Sequence, residues 1–474
     1  NDVTVDDIDL AHREGYRAVE HLKRYTTLGM GTDQGKTSNL NALAIMAAKR
    51  SLGMEAVGTT TFRPPYTPVS IGTLAGRSVR GHLAPVRRTA MHDWHVANGA
   101  TLYAAGLWHR PMIYGRAGET VEQAYVREAR AVRMGVGIVD VSTLGKIDVQ
   151  GPDAGIFLDR VYTNMFSNLA VGKARYGLML REDGLVMDDG TTWRLSENQF
   201  LMTTTTANAG KVMQHLDYCL ECLWPDLKVH LTSVTDQWAG AAISGPFARK
   251  VLEACVKETA VDNTALPFMG IVHGKIAGLP VMICRLSFSG ELAYEVYSGA
   301  GHGQEVWDTL MQAGKPLGIT PYGLEALGTL RIEKGHVTGA EIDGRTTSHD
   351  LHLDWMLSKK KPFVGQAMMN RPGLTDENRL TLVGILSSNG KPLPGGGHIV
   401  DDDEVTEPAE SLGHMTATCY SPALEKYIAL ALVKNGKSRI GTTAFATAPL
   451  TGAHVPVEIV SHHMFDPEGR RMHV

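Results

Sequence analysis

The sequence predicts an α+β protein with two pseudo-symmetric α/β half-units and a C-terminal all-β barrel, preceded by a small helical segment and an extended connector. Three observations support this prediction. The middle of the chain contains an internal repeat, the last hundred residues alternate short strands and turns, and the first residues have helical spacing of apolar positions. A chain of 474 residues is long enough for several domains, each with its own core.

Residues 1–57 are predicted to be helical. The run TVDDIDLAHREGYRAVEHLKRYTTLG combines an early Thr/Asp cap with apolar residues three and four positions apart, and NALAIMAAKRSLG predicts a further helix that ends at Gly53. Between them, GMGTDQGKTS has some features of a phosphate-binding P-loop. However, Met30 stands where that loop requires its first glycine, and the preceding run has helical rather than strand spacing. We therefore do not expect a P-loop.

The remaining chain divides into three regions. Residues 58–115 are punctuated by proline and glycine without clear periodicity, which predicts an extended connector. Residues 116–372 alternate strands and helices. This region contains two similar stretches, each with a β-rich run, Gly-Pro and an amphipathic helix: KIDVQGPDAGIFLDRVY and GAAISGPFARKVLEACV. The two stretches begin 94 residues apart, at Lys146 and Gly240. Two such copies predict paired half-units with a ligand site between them. Residues 373–474 have the strand spacing of a small all-β barrel.

Composition excludes several classes of partner. The 46 basic and 50 acidic residues give a net charge of −4, so nothing favours nucleic acid or an anionic membrane. No stretch approaches the roughly 20 apolar residues that span a bilayer. The five cysteines are odd in number and widely spaced, which argues against a disulfide scaffold and for a reducing, cytoplasmic compartment. Small molecules and other proteins are the expected partners.

The stretch RYGLMLREDGLVMDDGTTWRL, residues 175–195, is the first candidate for chemistry. Two apolar arms flank REDG, which predicts a hairpin, and the second arm carries Asp188 and Asp189. Such a pair is either a solvated strand end or a place where a carboxylate is held beside a reacting amine. The spacing alone leaves both interpretations open. No further acidic residue or histidine stands at a useful spacing, so no metal site is predicted.

Two further stretches carry buried-looking charges. In CRLSFSGELAYEVY, Glu295 lies in a strand that otherwise contains Ala, Tyr and Val, where a carboxylate is costly unless a donor reaches it. Glu295 is therefore either a ligand-binding acceptor or a residue with a structural partner. In GTLRIEKGHVTGAEIDGRTT, the alternation of Arg331 and Glu333 with apolar residues predicts a structural ion pair.

Taken in order, five stretches resemble the folate-binding aminomethyltransferase fold of the glycine-cleavage T-proteins over residues 116–474: VDVSTLGKIDVQGPDA, KARYGLMLREDGLVMDDG, SFSGELAYEV, LRIEKGHVTGAEIDGRTT and KKPFVG. The whole chain, including LKRYTTLGMGTDQGKTSN and TTTFRPPYTPVSIG, is similar to the C-terminal half of the alpha subunits of heterotetrameric sarcosine oxidases. This resemblance implies a T-protein-like fold, with an NAD-binding half upstream of Asn1.

The resemblance also implies roles for individual residues. Asp189 would face N10 of tetrahydrofolate and accept a proton or hydrogen bond from that amine. Glu295 matches the glutamate of the family that binds the pteridine. Four more residues fall at or near folate-lining positions: Tyr176, Thr205, Phe288 and Trp355.

For residues 1–57 the resemblance is to a BFD-like iron–sulfur domain that lacks its cluster. Asp33 and Ser38 stand near the positions of the thiolates, and no cysteine precedes Cys219, so we expect no iron–sulfur cluster. In the sarcosine oxidases an FMN lies between the alpha and beta subunits. Contact between its phosphate and the glycine-rich loop at Lys36, Thr37 and Ser38 is therefore compatible with the resemblance.

One departure from the T-proteins bears on the substrate. They carry Arg-Asp-Ser before their LRLE motif, whereas this chain has Leu327-Gly328-Thr329, which favours a small electrophile such as formaldehyde or an imine over a lipoyl-bound aminomethyl group. The resemblance thus implies a folate-binding subunit of a multi-subunit sarcosine oxidase that forms 5,10-methylenetetrahydrofolate beside a flavin-bearing beta subunit. The alternatives are a subunit of a dimethylglycine or N-methylglutamate oxidase, a stand-alone aminomethyltransferase or demethylase, and a non-catalytic scaffold for a flavin subunit.

Overall fold

The computed structural model describes residues 3–31, 33–64, 66–78, 85–401 and 411–474. The chain divides into two compact units, Asn1–Pro85 and Val86–Val474. In the described part of the chain, every strand belongs to the second unit.

The first unit is helical, as predicted. Its helices are α1 (Val5–Arg13), α2 (Val19–Tyr25), α3 (Asn39–Arg50), α4 (Met54–Val57) and α5 (Ile71–Ala75). The predicted cap is confirmed at Thr4, whose side chain accepts from the Asp7 backbone N–H while the Asp7 carboxylate accepts from the Thr4 backbone. Apolar residues spaced three and four apart on α1 to α3 form the core of this unit, including Ile8, Leu22 and Met46.

The second unit opens with a short helix and a hairpin, which occupy part of the segment expected to be a connector. These elements are α6 (His92–Ala97), β1 (Ala100–Ala105) and β2 (Trp108–Tyr114), and the two strands pair antiparallel. His95 on α6 contacts both the Asp140 carboxylate, at 3.1 Å, and the Tyr114 hydroxyl, at 2.8 Å. Arg110 on β2 donates to the Asp140 carbonyl oxygen at 3.1 Å. These contacts anchor the helix and the hairpin to the central sheets.

Two sheets form the centre of the second unit. The first consists of β4 (Gly145–Gln150), β5 (Lys173–Leu180), β6 (Val186–Ser196), β7 (Gln199–Thr204) and β8 (His230–Ser233), in the order β5-β6-β7-β4-β8. The second consists of β3 (Gly137–Asp140), β9 (Trp238–Ser244), β10 (Val256–Lys257), β11 (Ile271–Ile276), β12 (Leu279–Cys284), β13 (Ala293–Gly299) and β14 (Thr320–Pro321), in the order β10-β11-β12-β13-β9-β3-β14. One apolar core includes residues of both sheets, among them Trp193, Leu201, Met282 and Tyr297.

The helices of the second unit that follow β2 are α7 (Val121–Met134), α8 (Ala154–Val161), α9 (Ala209–Tyr218), α10 (Ala248–Cys255), α11 (Gly303–Gly314) and α12 (Leu324–Lys334). None of the helices in the described ranges has both the length and the apolar character needed to cross a bilayer.

The internal repeat is visible in the structure. In one copy β4 leads through Gly151 into α8, and in the other β9 leads through Gly245 into α10. Both glycines have positive φ, of 136° and 126°, and a Cβ at either position would collide with a backbone carbonyl oxygen, that of Lys228 or Gly135. The same sharp turn thus recurs at the predicted spacing, and the two half-units are confirmed.

The predicted barrel is also confirmed. Its six strands are β15 (Leu380–Ser387), β16 (His398–Val400), β17 (Gly413–Ser421), β18 (Lys426–Lys434), β19 (Thr443–Ala448) and β20 (Ala453–Val460), and they close in the order β15-β18-β17-β16-β19-β20. Inward-facing residues such as Val383, Ile399 and Ile459 fill its interior.

A buried charge network joins the barrel to the half-units. Arg133 on α7 donates to Glu333 on α12 and to Glu291, both at 2.8 Å, and Ser421 of the barrel donates to the same Glu333 carboxylate. The predicted pair between Arg331 and Glu333 is therefore wrong. Both residues lie on a helix, where positions two apart do not face each other, and Arg331 instead pairs with Glu341 at 2.9 Å.

Candidate functional site

The acidic pair lies on β6, where successive side chains point to opposite faces of the sheet. Asp189 therefore shares one face with Thr191 and Trp193, while Asp188 lies on the other. β6 has a β-bulge on each side of the stretch 188–194. Met187 has no partner in the pairing with β5, and Leu195 has none in the pairing with β7. Such bulges fix the register between them, so the sequence determines which aspartate faces which side.

Asp188 has a structural role. It is 2% exposed and accepts hydrogen bonds from the Thr205 backbone N–H, at 3.2 Å, and from the Asn208 side chain, at 3.0 Å. These contacts hold the turn between β7 and α9. Thr205, one of the predicted folate-lining residues, is thus tied directly to Asp188.

Asp189 faces Tyr176, and the two predicted site residues contact each other directly. The Tyr176 hydroxyl donates to Asp189 Oδ2 at 2.6 Å across the β5–β6 hairpin, which the REDG turn closes as predicted. Burial, followed by the nearby charge of Asp188, raises the pKa of Asp189 to about 7, while the Tyr176 hydrogen bond acts in the opposite direction. A carboxyl group of this pKa exchanges its proton near neutral pH.

Glu295 on β13 has a similar environment. It is 8% exposed, and its Oε2 accepts a hydrogen bond from the Tyr297 hydroxyl at 3.0 Å. Burial raises the pKa of Glu295 to about 7, and both the Tyr297 hydrogen bond and the charge of Lys146 oppose that rise.

The two carboxylates lie on facing surfaces of the two sheets. Trp193, on the same face of β6 as Asp189, packs edge-on against the ring of Tyr297 with 5.3 Å between centroids. Its indole N–H donates to the Thr191 hydroxyl at 2.9 Å. Because Tyr297 also binds Glu295, the ring of Trp193 connects the two carboxylate-bearing faces. A ligand site between the half-units stays a prediction.

Each carboxylate keeps one oxygen available. Within the described ranges, Asp189 Oδ1 and Glu295 Oε1 accept no hydrogen bond from another residue. Two acidic groups with perturbed pKa values, each held by one tyrosine and open on one side, are typical of a functional site rather than of a structural ion pair. Such an arrangement can accept a proton at one position and bind an N–H donor at the other.

The predicted aromatic walls lie further out. Phe288 is 36% exposed, and its carbonyl oxygen contacts the His336 ring at 2.9 Å. Trp355 is 73% exposed in the short 3-10 turn Asp354–Met356. The Phe288 ring lies 5.6 Å, centre to centre, from the His336 ring. The role of Phe288 and Trp355 in lining a folate site stays a prediction.

The three loop residues before α3 have partners within their own unit. Lys36 donates to the Tyr66 carbonyl oxygen at 3.0 Å and lies 4.0 Å from the centre of the Tyr66 ring. The Thr37 hydroxyl donates to Asp33 at 2.9 Å, and the Ser38 hydroxyl to the Leu28 carbonyl oxygen at 3.4 Å. The loop follows helix α2, in agreement with the expectation that it is not a P-loop.

Sequence reasoning missed three residues of the site: Lys146, Trp193 and Tyr297. One signal was present, because Glu295 and Tyr297 are two positions apart and so lie on one face of a strand. Lys146 is the single cation of its strand, GKIDVQ, and its position beside apolar residues gave only a weak signal. The contact of Trp193 with Tyr297 depends on how the sheets pack and has no local signal.

The described residues contain no group of three or more His, Cys, Asp or Glu side chains arranged to hold a metal ion. The five cysteines are free thiols, of which Cys219 is buried and Cys222 exposed.

Three protein-family models match successive parts of this chain, and a solved structure shares its fold. The model of the GCVT N-terminal domain matches residues 91–361, that of the glycine cleavage T-protein C-terminal barrel domain residues 381–466, and that of the sarcosine oxidase A3 domain residues 1–77. The aminomethyltransferase T of the glycine cleavage system from Bartonella henselae has the same fold, with a TM-score of 0.69 at 22% identity over 81% of this chain and 99% of that one.

Two curated relatives show how far the similarity extends. A sarcosine oxidase subunit alpha from Rhizobium meliloti (strain 1021) is 48% identical over all of this chain and 48% of its own length, so the chain spans about half of that relative. An aminomethyltransferase from Chloroherpeton thalassium is 33% identical over 76% of this chain and 94% of its own length. With more than half of its residues matched by the GCVT domain model, the chain belongs to the glycine cleavage T-protein family.

Proposed function

We propose that this chain is the folate-binding subunit, or part of the subunit, of a multi-subunit sarcosine oxidase. In this proposal a flavin on a partner beta subunit oxidises the N-methyl amine, in a cytoplasmic hetero-oligomer. The present chain then joins the released one-carbon unit to tetrahydrofolate and forms 5,10-methylenetetrahydrofolate. The observation that carries the proposal is the pair of facing carboxylates, Asp189 with Tyr176 and Glu295 with Tyr297.

The open oxygen of Glu295 fits a pterin. The pyrimidine edge of a reduced pterin presents N–H donors, and an ionised carboxylate that already holds one tyrosine donor has an acceptor left for them. Burial makes this acceptor selective, because a ligand without N–H groups would leave the charge unpaired.

Asp189 supplies the base. Tetrahydrofolate provides two amines, N5 and N10, that can capture a one-carbon unit. As N10 forms its bond to the carbon, the electron pair of the C=O or C=N bond moves to the oxygen or nitrogen, and Asp189 accepts the proton that N10 loses. N5 then forms the second bond to the carbon as the C–O or C–N bond breaks. The two protons that N10 and N5 lose leave with the oxygen as water or with the nitrogen as an amine, and the Asp189 carboxyl group delivers one of them. A pKa of about 7 suits both transfers near neutral pH.

The surroundings of α12 support a small electrophile. Leu327, where the T-proteins carry an arginine, is half-buried against the apolar core. The space beside Gly328 is open. No cation is therefore placed at this position to guide an anionic carrier, whereas formaldehyde or an imine needs none.

The loop with Lys36, Thr37 and Ser38 is a poor fit to a flavin phosphate in this structure. Lys36 would have to leave the carbonyl group and the ring of Tyr66, and Thr37 would have to leave Asp33.

A stand-alone aminomethyltransferase is the second candidate, because the similarity to the Chloroherpeton thalassium protein spans nearly all of that protein. The two candidates differ in the one-carbon donor. The first predicts product from formaldehyde, and the second only from an aminomethyl group on a lipoyl carrier.

The test uses the full chain and its Asp189→Asn and Glu295→Gln variants. Calorimetry measures tetrahydrofolate binding, and absorbance follows 5,10-methylenetetrahydrofolate formation after formaldehyde is added. We expect Glu295→Gln to bind tetrahydrofolate about tenfold or more weakly. Asp189→Asn should bind tetrahydrofolate normally, but its rate enhancement over the uncatalysed reaction should fall by about 100-fold. Asp183→Asn, in the turn of the same hairpin, is the matched control and should behave as wild type. Failure of the wild type to bind tetrahydrofolate refutes the proposal.

A further inference from the structure

Lys146 is a fully buried cation that the proposed reaction does not use. It lies on β4 with no exposed surface, and its ammonium group donates to the carbonyl oxygens of Ser142 and Leu144, both at 2.8 Å. A buried charge whose hydrogen-bond partners are neutral carbonyl groups is costly. Its position therefore calls for a charge nearby that it balances.

Strand pairing places Lys146 on the inner face of its sheet. It pairs with Thr203 on β7, and the Thr203 hydroxyl lies 3.0 Å from that of Thr191 on β6. Lys146 thus shares the face that carries Asp189. Towards the second sheet, its ammonium nitrogen lies 5.4 Å from the centre of the Tyr297 ring. Tyr297 in turn donates its hydroxyl to Glu295.

We propose that Lys146 is a positioning residue for pterin recognition: its ammonium group steadies Tyr297 by a cation–π contact and keeps Glu295 in the carboxylate form that accepts N–H donors. This inference rests on the proposed folate site and adds to it the group that sets the charge state of its recognition residue. Lys146 acts through Tyr297 and Glu295 and need not touch the ligand.

Lys146 and Glu295 each favour the charged form of the other, as their shared neighbour Tyr297 suggests. Burial lowers the pKa of Lys146 to about 8, so the side chain is mostly protonated at pH 7, and the charge of Glu295 is the largest influence that opposes this lowering. In the other direction, Lys146 counters the burial of Glu295. Other titratable or charged groups also interact with one of the two and are part of the same electrostatic balance: Arg110, Asp140, Asp236, Cys284, Tyr297 and Tyr322.

The test measures tetrahydrofolate affinity of the full chain between pH 6 and pH 8.5 by calorimetry. Wild-type binding should strengthen as Glu295 ionises, with a midpoint near pH 7. In Lys146→Met this midpoint should move up by about one pH unit, which is about fivefold weaker binding at pH 7. Lys146→Arg keeps the charge and should keep the midpoint within a few tenths of a unit.

Lys361→Met is the matched control. Lys361 is a half-buried lysine whose pKa burial also lowers to about 8, and its ammonium group donates to the backbone carbonyl oxygens of Asp159, Tyr162 and Thr163. Its removal should cost comparable stability without moving the midpoint.

The outcomes separate this inference from the proposed function. A wild-type midpoint in Lys146→Met, or an equal shift in Lys361→Met, overturns the role of Lys146 while the folate site stands. If Lys146→Met does not fold, a shift of the midpoint in Lys146→Arg by as much as one unit overturns it as well. Absence of tetrahydrofolate binding by the wild type at every pH removes the site itself.

Discussion

The half-unit that carries Asp189 and the half-unit that carries Glu295 differ in the charge beside the carboxylate. Each presents a buried carboxyl group held by one tyrosine, and burial raises both pKa values to about 7. Asp189 has another carboxylate as its neighbour, Asp188, which raises its pKa further. Glu295 has a cation, Lys146, which lowers its pKa.

This difference separates two tasks that one kind of side chain can perform. A like charge favours proton uptake, which suits a group that must take a proton from a reacting amine. An opposite charge favours the ionised form, which suits a group that must accept hydrogen bonds from a ligand. Removing the neighbours should therefore shift the two pKa values in opposite directions.

The largest expected effect concerns the backbone that the two half-units share. Gly151→Ala and Gly245→Ala place a Cβ against a carbonyl oxygen at positive φ, so each should lower the free energy of unfolding by about 3 kcal/mol or more, measured by urea unfolding of the full chain. Gly278→Ala has positive φ but open space, and should cost only about 1 kcal/mol. If one of the first two variants were as stable as Gly278→Ala, the turns would not be equivalent.

The tyrosines test whether the two carboxylates act separately. Tyr176→Phe removes a hydrogen bond that lowers the pKa of Asp189, so the base form requires higher pH, and the rate at pH 7 should fall by about tenfold. Tyr297→Phe should instead move the pH dependence of tetrahydrofolate binding upward by about one unit. Stopped-flow rates and calorimetry across the pH range separate the two, and a variant that moved both profiles equally would contradict the division of tasks.

Asp188→Asn should shift the rate profile in the opposite direction to Tyr176→Phe, and by a smaller amount. Loss of the neighbouring negative charge lowers the pKa of Asp189, so the rate profile should move to lower pH by about half a unit, which is about threefold faster at pH 6. The binding profile set by Glu295 should not move. An upward shift of the rate profile, in a variant whose tetrahydrofolate affinity is unchanged, would exclude Asp188 as the source of the effect.

The smallest effect is on the ligand-free stability. The pKa values of Asp189 and Glu295 are about 4 in the unfolded chain and about 7 in the folded chain. Between these values the unfolded chain ionises while the folded chain stays protonated, which lowers the free energy of unfolding. This cost grows as the pH rises from about 4 to about 7 and is complete above it. Asp189→Asn and Glu295→Gln should therefore each raise Tm by about 2 °C at pH 8, with a gain that shrinks towards pH 5, measured by calorimetry. A constant gain at all pH values would point to packing instead.

Local patterns predicted much of the fold. The cap at Thr4, the REDG hairpin and the repeat around Gly151 and Gly245 each depend on residues close in sequence, and the structure confirms them. The alternation of Glu295 with apolar residues was enough to single it out. Asp189 and Tyr176 were both predicted to belong to the site, and they contact each other across the hairpin.

Contacts between elements distant in sequence were not predicted. Trp193 meets Tyr297, and Lys146 lies near the same ring, only because two sheets pack face to face. The pairing of Arg331 and Glu333 failed for a related reason. Alternating charges suggest a strand, but tertiary packing made this stretch a helix, and each residue found its partner elsewhere.

The two bulges that bracket β6 have a consequence for how this protein can change over evolutionary time. A shift of this stretch by one residue relative to its neighbouring strands would exchange the two aspartates, so that the proposed proton acceptor would hold the β7–α9 turn and the turn-holding residue would enter the proposed site. An anchoring carboxylate and a reacting one are separated by a single step of about 3.4 Å along one strand.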